Sequence, residues 1–299
     1  MLGGAISANR GRVHRGMGHV SDSASDRHDG GDPSGPPPAR RRRLTVAAGT
    51  AAATLVLLGT AVALRQPPPA PTGRVILYGD SLSMEASGAF LDELGRTADA
   101  EVITRAVPGE APCDALDDMT ADLALAPAVV VIQYVGNNGS PCSRGPDGRP
   151  LTGADLVERT EADVRAATEL FATRGTRVVL VGGPDAPGLP GGAARGIADA
   201  YNEIVNEWAG RDLGRVRYAD AAATVSGADH AYADRLPCRD EEGPDEGCVD
   251  GEVVVRAEDR IHFCPVTHDD LACPVPSPGA ARFGEEMARV VRVALDPDL

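Results

Sequence analysis

Short β-branched runs alternate with longer amphipathic stretches from residue 74 onward. Strands and helices that alternate in this way are typical of a parallel sheet with helices on both faces. The predicted strands are residues 75–78, 101–107, 128–135, 177–181 and 215–219. The predicted helices are residues 84–94, 113–125, 154–173, 193–209 and 279–295. The pattern predicts one α/β domain over residues 74–299, a three-layer α/β/α sandwich with a five-stranded parallel sheet.

Three segments precede this domain, beginning with a polar tail and an apolar run. Residues 1–43 are rich in Gly, Ser, Asp, Arg and Pro without an apolar period, which predicts a disordered basic tail. Residues 44–64 form an uncharged apolar run directly after four consecutive Arg residues, 40–43. The run is long enough for one transmembrane helix, and the Arg cluster keeps the N-terminal tail in the cytoplasm. We therefore predict a single-pass signal-anchor in the cell membrane, with the domain on the extracytoplasmic side.

The apolar run also has an alternative interpretation as a cleaved signal peptide. Ala61, Val62 and Ala63 resemble the small-residue pattern of a cleavage site. Cleavage near Ala63 would secrete the domain, whereas an anchor would retain it at the membrane. In either case residues 65–73 are Pro-rich and predict a short, stiff linker before the domain.

The charge of the chain is unevenly distributed. The formal net charge is -15, yet residues 1–65 hold nine Arg against four Asp. The remaining residues hold 20 Arg against 40 acidic residues, which gives the predicted domain a net charge of about -20. Nucleic-acid binding requires a basic face that can neutralise phosphates. The composition therefore excludes nucleic acid as an expected partner.

All six cysteines follow the apolar run. An even number of cysteines on one side of a membrane segment is typical of disulfides in an oxidising compartment. Their spacing does not match the paired CxxC pattern of a zinc site, so we expect no metal. Fifteen pairings are open to six cysteines. Proximity in sequence favours Cys238 with Cys248 and Cys264 with Cys273, which leaves Cys113 for Cys142.

Candidate chemistry follows the first predicted strand. Sites of parallel sheets lie at the carboxyl ends of the strands, and Gly79, Asp80, Ser81 and Leu82 occupy this position after residues 75–78. A hydroxyl on this turn is exposed at the edge of the sheet, beside the free N–H groups of a helix start. The alternative is that Asp80 or Ser81 serves only as a helix N-cap.

Three further segments carry candidate groups. The second strand is followed by Gly109, where the absence of a side chain lets a ligand approach the backbone. The third strand ends in Gly136, Asn137 and Asn138, whose amides could donate to a developing oxyanion. Near the C-terminus, a separation of three residues, about one helical turn, could set an acid beside an imidazole, as in Asp259, Arg260, Ile261 and His262.

Taken together and in this order, these four segments resemble the sequence blocks of the SGNH (GDSL-type) hydrolase family. The resemblance covers residues 74–295 and implies a flavodoxin-like fold. It implies Ser81 as nucleophile, His262 as general base and Asp259 as the residue that orients the base. It also implies an oxyanion hole formed by the N–H groups of Ser81 and Gly109 and by an Asn amide.

The third block departs from the family pattern of Gly-x-Asn-Asp because Gly139 replaces the final Asp. The departure leaves Asn137 and Asn138 as alternatives for the amide donor, and the register favours Asn138. The segment around Ser81 also lacks the closing Gly of the G-x-S-x-G elbow, which disfavours the α/β-hydrolase fold.

The expected function is that of a serine esterase or acylhydrolase that needs no metal or other cofactor. The substrate would be a small-molecule ester, a short-chain ester, or an O-acetyl group on an envelope or secreted glycan. Aromatic residues make up only 3% of the chain, which disfavours an extended stacking platform for polysaccharide. An O-acyltransferase with the same triad and a non-catalytic envelope-binding module are the alternatives.

Several other polar residues are interpreted as bystanders. His230 and His268 lack an acid three residues before them, so we expect both to be ordinary loop residues. Ser83 and Ser87 are expected on the surface of the helix after Ser81. The acidic segment 240–246 lacks the regular spacing of a calcium loop and is expected to be solvated.

Overall fold

The computed structural model describes residues 73–189, 192–265 and 273–296. The predicted basic tail, the signal-anchor at 44–64 and residues 65–72 of the linker lie outside these described residues. Within the described ranges, every helix is too short or too polar to cross a membrane.

The core of the domain is a five-stranded parallel sheet in the order β2-β1-β3-β4-β5. Its strands agree closely with the prediction: β1 (Gly73–Gly79), β2 (Ala100–Ala106), β3 (Val129–Gln133), β4 (Arg177–Val181) and β5 (Val216–Ala219). The order reverses direction between β1 and β3. Ligands of such open sheets bind outside the carboxyl ends of the strands at this switch point.

Five α-helices connect or follow the strands. They are α1 (Ser81–Thr97), α2 (Pro112–Asp122), α3 (Gly153–Ala172), α4 (Ala194–Ala209) and α5 (Pro278–Leu295). Each agrees with a predicted helix, although α1 begins three residues earlier than the amphipathic pattern indicated. The early start follows from Asp80, whose side chain caps the helix by accepting the N–H of Leu82.

The sheet separates two hydrophobic cores, which confirms the prediction of three layers. Alternate strand residues such as Val75 and Leu77 face a core that contains residues of α1 and α5. Their neighbours Ile76 and Tyr78 face the second core, which contains residues of α2, α3 and α4. Near-continuous apolar strands are expected where both faces of a sheet are buried.

The helices α1 and α5 approach each other closely at Gly284. A Cβ atom at this position would lie 2.5 Å from the carbonyl oxygen of Ala86 and 2.8 Å from the backbone nitrogen of Phe90. Only glycine fits such an approach without moving a backbone. The contact fixes α1, which begins with Ser81, against the last helix of the domain.

The long segment between β5 and α5 contains structure that the sequence pattern did not predict. A small antiparallel hairpin pairs β6 (Arg235–Pro237) with β7 (Glu252–Val254). The expectation that the acidic segment 240–246 is solvated is wrong for Glu242, which forms an ion pair with Arg282 of α5. Both side chains are less than 10% exposed, at 9% and 5%. The hairpin is therefore fixed to the domain by a buried ion pair.

Candidate active site

Ser81 is the first residue of α1 and directly follows the N-cap Asp80. The turn from β1 into α1 places it at the carboxyl edge of the sheet, beside the switch point. Its exposed fraction is 9%, so the residue is largely enclosed. The N–H groups in the first turn of a helix have no partner within the helix, so they are available to an anion.

His262 links Ser81 to Asp259. Its Nε2 lies 2.9 Å from Ser81 Oγ, and its Nδ1 lies 2.6 Å from Asp259 Oδ2. Because a carboxylate only accepts, Nδ1 of the neutral imidazole donates to Asp259. Nε2 is then the acceptor for the Ser81 hydroxyl. The structure thus joins the three predicted residues in one hydrogen-bond chain.

The segment that carries His262 is a turn rather than the helical turn suggested by the spacing. Asp259 Oδ1 accepts the backbone N–H groups of Ile261 at 2.9 Å and His262 at 3.0 Å. Arg260 has a φ of 63°, in the left-handed region that helices exclude. Asp259 therefore holds the turn with one oxygen and the imidazole with the other.

The same hydrogen bonds set the charge of Asp259. Partial burial tends to raise the pKa of this carboxyl, but the bonds from the His262 ring and from the two backbone N–H groups outweigh it. The net effect holds the pKa of Asp259 below its ordinary value. The carboxyl is consequently anionic at neutral pH and suited to stabilise an imidazolium.

Asp80 does more than cap α1. Its side chain is fully buried, and Oδ1 accepts the N–H of Leu82. The second oxygen, Oδ2, accepts the backbone N–H of Val135 at 2.8 Å and the side-chain amide of Asn137 at 3.2 Å. Burial raises the pKa of Asp80 to about 6, although the hydrogen bonds from the backbone of Val135 and Leu82 oppose the increase. Asp80 therefore connects the turn after β1 to the end of β3.

Gly109 lies in the loop after β2 with a φ of +74°, a conformation that favours glycine. The loop begins beside the turn that leads to Ser81, because the N–H of Val107 donates to the carbonyl of Gly79 at 2.9 Å. The next residue, Glu110, is partly buried, which raises its pKa to about 7. The loop that carries Gly109 thus adjoins the candidate site.

The two asparagines after β3 have different partners. Asn137 Nδ2 donates to Asp80 Oδ2 and to the carbonyl of Glu110, both at 3.2 Å. Asn138 Nδ2 donates to the carbonyl of Leu151 at 3.0 Å. An amide nitrogen carries two N–H groups, so this bond occupies one of the two on Asn138. Asn137 thus connects the turn after β1 with the loop after β2, whereas Asn138 is bound to the segment directly before α3.

The structure contains the three disulfides expected from proximity in sequence, Cys113–Cys142, Cys238–Cys248 and Cys264–Cys273. The first joins the start of α2, just after Gly109, to the loop after β3. The second closes the β6–β7 hairpin. The third begins two residues after His262. Two of the three disulfides therefore constrain loops at the candidate site.

The bystander residues differ in part from the prediction. Ser83 and Ser87 are buried, at 0% and 2% exposure, so the expectation of a surface position is wrong. Ser83 donates to Gln133 Oε1 of β3 at 2.7 Å, and Ser87 donates to the carbonyl of Met84 at 2.7 Å. His230 lies 3.4 Å from Asp220, in a polar cleft of about 250 Å³ at the ends of β4 and β5. His268 lies outside the described residues.

Sequence reasoning missed Glu85. This acid lies on α1, is 7% exposed, and its Oε2 accepts the backbone N–H of Phe263 at 2.7 Å and of Cys264 at 3.1 Å. The available signal was its position among apolar residues, between Met84 and Ala86. An acid in such a position is rarely buried without a partner.

Comparisons with known proteins give similarity at the level of structure only. No protein-family model matches the sequence, and no curated protein matches it. A GDSL-like lipase from Bacteroides thetaiotaomicron is 16% identical with a TM-score of 0.46, over 83% of this chain and 99% of that chain. An acetylxylan esterase from Geobacillus stearothermophilus is 14% identical with a TM-score of 0.45, over 75% and 94%. A psychrotrophic esterase from a Pseudoalteromonas species is 13% identical with a TM-score of 0.43, over 73% and 96%.

At this level of identity, the function of the chain has to be inferred from its own side chains. Within the described residues, these side chains form a Ser–His–Asp hydrogen-bond chain at the carboxyl edge of a parallel sheet.

Proposed function

We propose that this chain is a membrane-anchored, extracytoplasmic serine esterase of the SGNH (GDSL-type) hydrolase family. The observation that carries the proposal is the hydrogen-bond chain from Ser81 through His262 to Asp259, at 2.9 Å and 2.6 Å. A non-catalytic binding module has no need for a carboxylate that orients an imidazole toward a serine. The four sequence blocks that resemble the family support the same assignment.

In the proposed reaction, Ser81 Oγ attacks the acyl carbonyl carbon while His262 Nε2 accepts the hydroxyl proton. Asp259 stabilises the imidazolium that forms. The imidazolium then donates its proton to the alkoxy oxygen of the ester as the bond from this oxygen to the carbonyl carbon breaks, so that the alcohol leaves and the acyl group remains on Ser81. A water molecule, activated by the same imidazole, attacks the acyl-enzyme and releases the carboxylic acid. No step requires a metal.

The oxyanion of each tetrahedral intermediate would be held by the N–H groups of Ser81 and Gly109 and by the Asn138 amide. Ser81 begins a helix, where N–H groups are free of helical hydrogen bonds. Gly109 has no side chain to obstruct the approach of an oxygen. Asn138 retains an N–H beyond the one it donates to Leu151. Donors prearranged in this way typically supply about 3 kcal/mol each to the transition state.

The substrate would be an acyl ester of a glycan or of a small alcohol, such as an O-acetyl group on an envelope or secreted polysaccharide. Three disulfides support an oxidising compartment outside the cytoplasm. The apolar run at 44–64 would anchor the domain there, with residues 65–73 as the linker.

A fluorophosphonate probe tests the chemistry. We expect it to label the wild-type protein and to leave Ser81→Ala unlabelled. A series of p-nitrophenyl esters from acetyl upward would then define the acyl group, with activity retained in the presence of a chelator. Hydrolysis of none of these esters, together with no labelling, would exclude the proposal. Formation of a new ester on an added sugar acceptor would identify a transferase instead.

Fractionation of cells tests the location. We expect the full-length protein in the membrane fraction, and its domain should be digested when protease is added to intact cells stripped of their outer layers. A soluble product that begins near residue 64 would indicate cleavage and secretion. Full-length protein that resists the protease would place the domain in the cytoplasm and contradict the proposal.

A further inference from the structure

Glu85 and Ser81 lie four residues apart on α1. Residues with this spacing occupy the same face of a helix, one turn apart. Glu85 is only 7% exposed, although carboxylates are rarely buried without partners. The helix that begins with the proposed nucleophile therefore also presents a buried acid on the same side.

Two hydrogen-bond partners of Glu85 are on the loop that carries the proposed base. Its Oε2 accepts the N–H of Phe263 at 2.7 Å and the N–H of Cys264 at 3.1 Å, the two residues directly after His262. The carbonyl of Phe263 is held from the other side, because it accepts the Ser277 hydroxyl at 2.8 Å. The backbone after His262 is thus bound at both its donors and its acceptor.

We propose that Glu85 is a positioning residue that sets the distance between His262 and Ser81. The inference rests on the proposed function. Ser81 and His262 are 181 positions apart in sequence, and their contact depends on how α1 and the loop are joined. Glu85 joins the same two segments by two hydrogen bonds, at 2.7 Å and 3.1 Å. A displacement of about 1 Å at a reacting group costs roughly 100-fold in rate.

Three substitutions separate the hydrogen bonds from the packing. Glu85→Leu keeps most of the volume and removes the acceptor, and we expect kcat to fall about 10- to 100-fold with KM changed less than about twofold. Glu85→Gln keeps an acceptor oxygen in place, and kcat should stay within about fivefold of wild type. Glu85→Asp keeps the carboxyl group but shortens its reach, and should lower kcat in the same way. This variant replaces Glu85→Leu in the test if the leucine variant does not fold.

Glu93→Gln is the matched control. Glu93 lies on the same helix, where it pairs with Arg96 at 2.6 Å and is 22% exposed. Its substitution should leave kcat and KM unchanged. A kcat for Glu85→Leu or Glu85→Asp equal to that of wild type would overturn the inference.

A double-mutant cycle with His262→Ala distinguishes positioning from general stability. If Glu85 acts through His262, replacing it in the His262→Ala background should not lower the residual rate further. If Glu85 only stabilises the fold, the second substitution should lower the residual rate by the same factor as in wild type, which would overturn the inference. An active Ser81→Ala variant would instead exclude the proposed function itself, whatever the Glu85 variants do.

Discussion

Cys113 and Cys142 form a disulfide that joins the first turn of α2 to the loop after β3. Cys113 follows Gly109 by four residues, and Cys142 follows Asn138 by the same number. The loop directly before α2 and the loop after β3 carry two of the three proposed oxyanion donors. One covalent bond therefore restrains the separation of the donors.

Replacing both Cys113 and Cys142 by Ser should affect rate as well as stability. Loss of one disulfide typically lowers the free energy of unfolding by about 2 to 4 kcal/mol. Looser oxyanion donors should in addition lower kcat about 10-fold, less than the 10²- to 10³-fold cost of removing one donor outright. Steady-state kinetics well below the melting temperature would measure this. A lower melting temperature with unchanged kcat would show that the disulfide has no effect on the donors.

The disulfide Cys264–Cys273 should matter more for activity than Cys238–Cys248. Cys264 follows His262 by two residues, and its removal should loosen the loop with the base and lower kcat roughly 10-fold. Cys238–Cys248 closes the β6–β7 hairpin, so the corresponding Ser pair should retain kcat near that of wild type. Equal losses of kcat in the two paired variants would contradict this ranking.

Substitutions in the triad should have graded effects. Ser81→Ala and His262→Ala should each lower kcat by several orders of magnitude, and the double variant should be scarcely worse than either. Asp259→Asn keeps the shape but favours the wrong imidazole tautomer, and should lower kcat by up to about 10⁴-fold at neutral pH. Measured kcat values for the four variants would test the assignment. Independent, multiplying losses for Ser81 and His262 would contradict a shared mechanism.

Controls for this series follow from the structure. His230→Ala should be nearly neutral, since His230 contacts Asp220 in a cleft at the carboxyl ends of β4 and β5 rather than a residue of the proposed triad. Ser83→Ala is less suitable than the sequence suggested, because it removes a buried hydrogen bond to Gln133. We expect it to lower the melting temperature while kcat stays near wild type.

Asn137→Ala and Asn138→Ala should have different effects. Asn137 bridges Asp80 and the Glu110 carbonyl, so its loss should lower the free energy of unfolding by about 1 to 3 kcal/mol. Asn138→Ala should instead lower kcat by about 10²- to 10³-fold with little change in KM. Melting curves and kinetics on both variants would decide. A large kcat loss confined to Asn137→Ala would transfer the oxyanion role to Asn137.

Asp80 should make stability depend on pH. Burial raises its pKa from 3.8 to about 6, so between these values the folded protein binds more protons than the unfolded chain. The free energy of unfolding should then fall by about 3 kcal/mol as pH rises through this window. Asp80→Asn should lack this titration. Denaturant unfolding from pH 4 to 8 should show that the free energy of unfolding of wild type falls relative to that of Asp80→Asn up to pH 6 to 7. A difference in the free energy of unfolding between the two proteins that stays constant over this pH range would contradict the raised pKa of Asp80.

The fold was largely predictable because both faces of the sheet are covered. Strands such as Val129–Gln133 are buried throughout and read as apolar runs, and each helix has a clear apolar face. The β6–β7 hairpin was not predicted, since its strands have three residues each and its anchor is the distant Arg282. Contacts between segments far apart in sequence leave no local periodic pattern.

The residues of the candidate site were predictable where they belong to a recognisable sequence motif. Ser81, Asp259 and His262 were assigned from sequence blocks that resemble those of a known family, and the structure brings the three side chains together. The supporting roles of Asp80 and Glu85 were not, because both depend on N–H groups of segments distant in sequence. An acid whose partner is a backbone N–H has no complementary side chain that a sequence could reveal.

The contact between Ser81 and His262 has a consequence for biosynthesis. The proposed nucleophile belongs to α1, and the proposed base is added only 181 positions later. The helix α5, which packs against α1 through Gly284, follows later still. A nascent chain that has emerged only as far as α4 therefore carries a serine without a base. Such a chain would be inert toward esters, and activity would arise only once the domain is complete.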